Sequence, residues 1–205
     1  MTVTTLLLDA DGVLQRVPDG GEESMRPALV GRVRDVDGFL ADACVAERPA
    51  LTGTVRWLDV LPALLDRWGI SDAYDDVVRV WLSIEQVPGM HDLVHALRAT
   101  GMRCCLATNQ DVSRGEFMHE ALDYGDLLDE TFYSYALGLA KPDPAYFTAI
   151  LGRLGVAAAD TLLVDDNLSN VEAARSVGLH AEHWVHTDGL ALLRDRLARH
   201  GLTVA

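Results

Sequence analysis

The sequence predicts an α/β fold in which a parallel sheet carries an inserted helical domain. Short apolar runs alternate with helical patterns along most of the chain, as in parallel strands joined by crossover helices. Between residues 16 and 87 helical patterns follow one another without a convincing strand. The length of 205 residues suits one domain with such an insertion. We therefore predict a core built from residues 1–15 and 88–205 and a helical insertion over residues 16–87.

The strands and helices of the core are predicted from apolar runs and helical periodicity. The predicted strands are residues 3–8, 102–107, 161–164 and 181–185. The predicted helices are residues 90–99, 112–122, 144–154, 168–177 and 190–200. The third of these helices has clear end signals, because Asp143 can cap it, Pro144 suits its first position and Gly155 follows its last residue. Asp166 is expected to cap the fourth.

The insertion has three helical patterns, at about residues 24–46, 54–68 and 72–85, with Ser71 as a candidate N-cap for the last. Its ends, RVPDGG and VPG, are predicted hinges. Three tryptophans are expected in the core of the insertion rather than in a stacking platform: Trp57, Trp68 and Trp81. Three arginines are expected mostly on a solvated face rather than at a substrate: Arg32, Arg34 and Arg56.

The composition argues against several classes of partner. A formal net charge of −14 disfavours nucleic acid and anionic membranes, which both attract basic surfaces. No apolar run approaches the length of a membrane span, and the N-terminus lacks the basic region of a signal peptide. Cys104 and Cys105 are adjacent inside an apolar run, which suggests reduced thiols in the core of a cytoplasmic protein.

Polar residues stand where three of the predicted strands end. They are Asp9, Asp11, Thr108, Asn109, Asp165 and Asp166. Ligands of an open parallel sheet bind at the carboxyl ends of its strands, so we expect these side chains to share one crevice. Lys141, the only lysine among 17 basic residues, precedes the helix at Pro144 and is expected there too. A compact ammonium fits places that a wide guanidinium does not.

This set of residues predicts phosphoryl transfer with a divalent cation. Two carboxylates about 4 Å apart repel by roughly 4 kcal/mol at an effective dielectric constant near 20, and one lysine offsets only part of that. A hard cation with oxygen ligands is the simplest remedy, and such a site suits Mg²⁺. Beside it Asp9 can act as a nucleophile and Asp11 as a general acid and base. Gly12 allows the backbone to turn sharply.

Four segments resemble the motifs of the haloacid dehalogenase superfamily, in the order that the family has them. The segments are LLLDADGVL, LATNQ, AKPDP and VDDNLSNVEAAR. With its helical insertion after the first strand, the chain is similar to subfamily I, which has a C1 cap. The resemblance implies a Rossmann-like core, a mobile helical cap and an Mg²⁺-dependent phosphatase acting on a small phosphorylated metabolite. It implies no oligomeric state.

The resemblance also implies a role for each matching residue. Asp9 would be the nucleophile and Asp11 the general acid and base. The residues implied to bind the phosphoryl group are Thr108, Asn109 and Lys141. The implied metal ligands are Asp9, the carbonyl of Asp11, Asp165 and Asp166. Two positions depart from the common pattern: Gln15-Arg16 replaces an Asp-Ser or Asp-Thr pair, and Asn170 replaces a further aspartate.

Four other functions share some of these features. A phosphomutase of the β-phosphoglucomutase kind has all four motifs and differs in returning the phosphoryl group to a sugar. A 2-haloacid dehalogenase needs neither an acid at Asp11 nor Mg²⁺, so the residues disfavour it. A signalling receiver domain is disfavoured because Lys141 precedes the pair Asp165-Asp166 instead of following it. A non-catalytic binding protein of this fold would not need every site residue, yet all of them are present.

Overall fold

A computed structural model of the chain describes residues 3–18 and 22–204, with the backbone alone for residues 22–24. Seven strands are described: β1 (Thr5–Leu8), β2 (Gln15–Arg16), β3 (Glu85–Gln86), β4 (Arg103–Thr108), β5 (Glu130–Tyr133), β6 (Thr161–Asp165) and β7 (His180–His183). Eleven α-helices are described: α1 (Glu22–Leu29), α2 (Val36–Leu51), α3 (Trp57–Arg67), α4 (Tyr74–Trp81), α5 (Met90–Ala99), α6 (Val112–Ala121), α7 (Tyr124–Leu127), α8 (Ser134–Leu137), α9 (Pro144–Leu154), α10 (Leu168–Ser176) and α11 (Leu190–Arg199). Short 3₁₀ turns cover Ser71–Ala73, Ala158–Asp160 and His186–Asp188.

The predicted α/β fold is confirmed, and its centre is a five-stranded parallel sheet in the order β5-β4-β1-β6-β7. All four residues of β1 are buried, because helices cover both faces of the sheet. Leu6 and Leu8 pack on the side of α5 and α11, whereas Leu7 packs on the side of α9 and α10. This arrangement places the ends of β1, β4 and β6 beside one another.

The predicted elements of the core are confirmed to within two residues, and three short ones were missed. Strand β5 lies at the edge of the sheet, and its sequence ETFY is too short and too polar to stand out as an apolar run. The helices α7 and α8 have four residues each, below the length at which helical periodicity can be read. Helix α9 has the predicted ends, with Asp143 as N-cap and Gly155 in the left-handed conformation as C-cap.

Helices α1 to α4 pack around an apolar cluster of their own. The cluster includes Leu29, Phe39, Trp57, Leu61 and Leu65. The single helical pattern predicted at residues 24–46 is wrong in one respect, because the chain forms two helices there. Gly31, with a φ of +81°, lies between them, and Asp35 caps α2 by accepting a hydrogen bond from the Gly38 amide. Ser71 lies in a 3₁₀ turn and does not cap α4.

A short antiparallel ribbon joins the two ends of the insertion, which corrects the expectation of no strand there. Strand β2 pairs with β3 through Gln15 opposite Gln86 and Arg16 opposite Glu85. The Arg16 guanidinium lies 2.7 Å from the Glu85 carboxylate. Two residues per strand are too few for a period-2 pattern to be visible in the sequence. The chain therefore enters and leaves the insertion side by side.

The adjacent thiols and one of the arginines of the insertion lie where the sequence predicts them. Cys104 and Cys105 are buried free thiols in β4, as expected. Arg32 is paired with Asp72 and Asp76 on the surface of the insertion, which is the expected solvated arrangement. No helix among the described residues has both the length and the apolar character that a membrane crossing requires.

Candidate active site

Three carboxylates meet at the carboxyl ends of the central strands. Asp9 follows β1, Asp165 ends β6 and Asp166 comes next, and one carboxylate oxygen from each lies within 4.8 Å of one from each of the other two. Asp165 is fully buried and Asp9 nearly so. No other group of three acidic, histidine or cysteine side chains close enough to hold a metal is found among the described residues. The donor set is oxygen alone, which is the set that Mg²⁺ prefers.

Lys141 supplies the positive charge of this cluster. Its Nζ atom lies 2.9 Å from Oδ1 of Asp9 and 2.6 Å from Oδ2 of Asp165, and the side chain is 1% exposed. Asn109 fixes the Lys141 backbone: its amide donates to the Lys141 carbonyl and its Oδ1 accepts from the Lys141 amide, each at 2.8 Å. The ammonium is thus held between two carboxylates. Asn109 thus holds the loop that carries Lys141. The contact of Asn109 with a phosphoryl group stays a prediction.

The oxygens of Asp165 are held in place by the start of α10. Oδ1 accepts hydrogen bonds from the Asn167 amide and from Nδ2 of Asn170, each at 2.9 Å. Asn170, which departs from the common family pattern, therefore supports the cluster as a hydrogen-bond donor. The expectation that Asp166 caps α10 is wrong, because Asn167 caps it by accepting from the Ser169 amide. The Asp166 carboxylate is therefore not used as a helix cap and can bind a metal with Asp9 and Asp165.

Glycine is required at position 12. Gly12 has a φ of +78°, in the left-handed region, and an added Cβ would lie 2.3 Å from Oδ2 of Asp166. A side chain there would displace the Asp166 carboxylate. The close approach explains why the turn that carries Asp9 and Asp11 ends in glycine.

Asp11 is held by three side chains, two of which were not singled out in the sequence. Its Oδ1 accepts from Nε2 of Gln15 at 2.9 Å and from Nη2 of Arg114 at 3.0 Å. Its Oδ2 accepts from Nε2 of Gln110 at 2.6 Å. Gln15 thus has a defined partner at the position where the family pattern differs. Gln110 is the last residue of the LATNQ segment, so the sequence offered a signal for it, whereas no motif includes Arg114 on α6.

Thr108 completes the set of predicted site residues. It is the last residue of β4, it is 1% exposed, and its carbonyl lies 3.4 Å from the hydroxyl of Tyr146. The structure therefore brings all seven predicted side chains to one end of the sheet.

A cavity of about 500 Å³ lies between this end of the sheet and the insertion. The core contributes Asp11, Asn109, Gln110, Arg114 and Asp166 to its lining. The insertion contributes Val17, Met25, Glu47, Leu51, Val80 and Trp81. Trp81 packs against the core of the insertion, as expected, but it also lines the cavity, which the sequence did not reveal. Arg32, Arg34 and Arg56 are not among the described lining residues.

The family model of haloacid dehalogenase-like hydrolases matches residues 3–178 of this chain. The chain belongs to this family. A phosphatase of Mycobacterium tuberculosis is 33% identical to the hydrolase over 192 residues, which cover 88% of this chain and 87% of that one. A sesquiterpene phosphatase of Aspergillus oryzae is 34% identical over 102 residues, which cover 50% of this chain and 51% of that protein. The match therefore spans about half the length of the second relative.

Solved structures have the same fold as the hydrolase. A family member from Bacteroides thetaiotaomicron superimposes with a TM-score of 0.79 at 19% identity, covering 95% of this chain and 100% of that one. The same enzyme has been solved in complex with magnesium and inorganic phosphate, and that structure has a TM-score of 0.76 at 19% identity, covering 93% of this chain and 98% of that one.

The crowding of carboxylates changes the protonation of the hydrolase site. Burial raises the pKa of Asp9, Lys141 opposes the rise and Asp165 and Asp166 add to it, so that the resulting pKa is about 7. Burial and then Asp165 raise the pKa of Asp166 as well. Burial lowers the pKa of Lys141, but Asp9 and Asp165 outweigh this effect, and its pKa is raised overall. The ammonium stays charged, and ionisation of Asp9 and Asp166 is disfavoured relative to that of free carboxyl groups.

Proposed function

We propose that the hydrolase is an Mg²⁺-dependent phosphatase that cleaves a small phosphate monoester through an aspartyl-phosphate at Asp9. The observation that carries this proposal is the ammonium of Lys141 lying within 2.9 Å of Asp9 and 2.6 Å of Asp165, beside a third carboxylate. Catalysis of phosphoryl transfer consists mostly of positioning and charge neutralisation, which this cluster supplies. The relatives that are named phosphatases support the same reaction.

The proposed reaction assigns one proton carrier and one nucleophile. An oxygen of Asp9 attacks phosphorus, the ester P–O bond breaks, and the leaving oxygen takes a proton from Asp11. Asp11 then removes a proton from a water molecule that attacks the phosphorus of the aspartyl-phosphate. Inorganic phosphate leaves, and the Asp9 carboxylate is restored. Three side chains would contact the phosphoryl oxygens: Thr108, Asn109 and Lys141.

Magnesium fits the carboxylate cluster. Asp9, Asp165 and Asp166 would hold the ion together with the Asp11 carbonyl. The bound ion supplies charge neutralisation of the phosphoryl oxygens. The insertion, residues 16–87, would act as a cap that closes over the substrate and excludes bulk water.

A cytoplasmic location is proposed from the state of the thiols. Burial raises the pKa of Cys104 and of Cys105 to about 12, so neither forms a reactive thiolate in the folded protein. Buried reduced thiols of this kind are typical of a reducing compartment.

The proposed function is tested by phosphate release from a panel of phosphorylated metabolites, with Mg²⁺ and with a chelator. We expect release that depends on added Mg²⁺, because the three carboxylates cannot bind a phosphoryl group without a further cation. Equal activity in the chelator would contradict the proposal. Conversion of a hexose phosphate into an isomer, without phosphate release, would indicate the phosphomutase instead.

The raised pKa of Asp9 predicts how Mg²⁺ and pH act together on stability. Between the ordinary value of 3.8 and about 7, the folded protein holds a proton on Asp9 that the unfolded chain has lost. Raising the pH through this window therefore destabilises the metal-free protein, and the effect levels off above it. Since the cation binds the ionised site, the Tm increase caused by Mg²⁺ is expected to be larger at about pH 8 than at about pH 6. Thermal unfolding at both pH values measures it, and an equal increase would refute the assignment.

A further inference from the structure

The cavity beside Asp11 is polar where the core lines it and, apart from Glu47, apolar where the insertion lines it. The apolar lining, called the apolar wall below, comes from Val17, Met25, Leu51, Val80 and Trp81. Four of the five core residues that line it belong to or directly follow the segments that carry the proposed chemistry: Asp11, Asn109, Gln110 and Asp166. A phosphate ester bound with its phosphorus at Asp9 would therefore have this cavity, and its apolar wall, as the place for its alcohol part.

The charges around the cavity disfavour a second anionic group on the substrate. Among the described lining residues, Arg114 is the only cation, and it already donates to Asp11 at 3.0 Å. Lys141 is held between Asp9 and Asp165 and does not line the cavity. The insertion itself adds a carboxylate, Glu47. Among the described lining residues, a carboxylate or second phosphate on the alcohol part would therefore find no cation other than Arg114, which is already paired with Asp11.

Trp81 forms a fixed part of the apolar wall. Its Nε1 donates to Oδ2 of Asp111 at 3.1 Å, and the Arg114 guanidinium lies 5.1 Å from the ring centroid. Because the indole N–H is bonded to Asp111, Trp81 offers hydrophobic surface and no hydrogen bond to a substrate.

We infer that the alcohol part of the substrate is a largely apolar group, aromatic or branched alkyl, with no second anion. The inference rests on the proposed phosphatase function and adds the class of ester to it. A cavity of about 500 Å³ lies within the range of small-molecule sites, roughly 300–1,000 Å³. A sugar would leave its hydroxyl groups without partners along the apolar wall, which disfavours sugar phosphates.

Three primary phosphate esters test the inference: 2-phenylethyl phosphate, glucose 6-phosphate and 2-phosphoglycolate, each with Mg²⁺. All three have a primary alcohol as the leaving group, so differences in kcat/KM reflect binding in the cavity more than the reactivity of the ester. We expect kcat/KM for 2-phenylethyl phosphate to exceed the other two by about 100-fold, the discrimination that a hydrophobic pocket achieves. Acetyl phosphate, whose leaving group is too small to reach the wall, measures the reaction itself.

A matched pair of valine variants locates the effect. Val80 lines the cavity, whereas Val45 is 60% exposed on α2 and does not line it. In Val80→Asn we expect the ratio of kcat/KM for 2-phenylethyl phosphate to that for acetyl phosphate to fall about tenfold, since an amide group would face the apolar ligand. The same ratio should stay at the wild-type value in Val45→Asn.

The outcomes separate the two proposals. No enzyme-dependent phosphate release from any of the three esters or from acetyl phosphate would overturn both the phosphatase function and the ester class. Release with glucose 6-phosphate or 2-phosphoglycolate preferred would overturn the ester class and leave the phosphatase function standing. An unchanged ratio in Val80→Asn would show that the wall does not contact the alcohol part, which also overturns the inference.

Discussion

The variant Asp9→Asn is expected to lose phosphatase activity by roughly 10⁴-fold or more, the scale of removing a catalytic nucleophile. An amide oxygen does not form the proposed acyl phosphate, and the neutral side chain also removes a metal ligand. The protein should nevertheless fold. Burial raises the pKa of Asp9 to about 7, which means that the folded state favours a neutral group at this position.

The metal-free Asp9→Asn protein should therefore unfold at a higher temperature than the wild type at about pH 8. Each kcal/mol gained corresponds to about 2–4 °C for a chain of this size. Asp195→Asn, which changes an exposed carboxylate on α11, is the control and should alter neither activity nor Tm. Retention of more than about a tenth of the wild-type activity by Asp9→Asn would refute the assigned nucleophile, because the expected loss is roughly 10⁴-fold.

The variant Lys141→Met is expected to lower the free energy of unfolding by about 3–5 kcal/mol at about pH 8, the cost of breaking a buried ion pair. Methionine has a similar length but leaves Asp9 and Asp165 facing each other without the ammonium. Urea denaturation measures the loss. Mg²⁺ should restore part of the stability, because the cation neutralises the same carboxylates.

Lys141→Arg separates charge from shape at the same position. The ammonium is 1% exposed and lies within 2.9 Å of carboxylate oxygens on two sides, so a guanidinium has no room there. We expect this variant to be destabilised too and to lose activity despite its positive charge. Arg153→Met, at an exposed position on α9, controls for the loss of a cation. Wild-type behaviour of Lys141→Arg would show that charge alone matters.

The sequence predicted those parts of the fold that depend on local patterns. The buried strands β1, β4 and β6 are continuous apolar runs, because a parallel sheet is covered on both faces. The residues at their carboxyl ends could be assigned to one crevice by topology alone. Asp143 and Gly155 marked the ends of α9 for the same local reason.

Contacts between distant parts of the chain could not be predicted. Arg114 reaches Asp11 across 103 positions of sequence, and nothing in the pattern around α6 points to it. Trp81 was predicted only as a core residue of the insertion, because the helical pattern shows which face of the helix is buried. The pattern does not show that part of this face lines a cavity. Asn167 displaced Asp166 as the cap of α10, since both residue types suit that position and only the three-dimensional arrangement decides.

The ribbon of β2 and β3 has a consequence for how specificity can change in evolution. Neighbouring strands lie roughly 4.8 Å apart, so the insertion begins and ends at almost the same place on the core. A segment of any length can be exchanged between those points without displacing a strand of the parallel sheet. A change of the inserted segment can thus change the substrate, while the carboxylates of the core keep their positions.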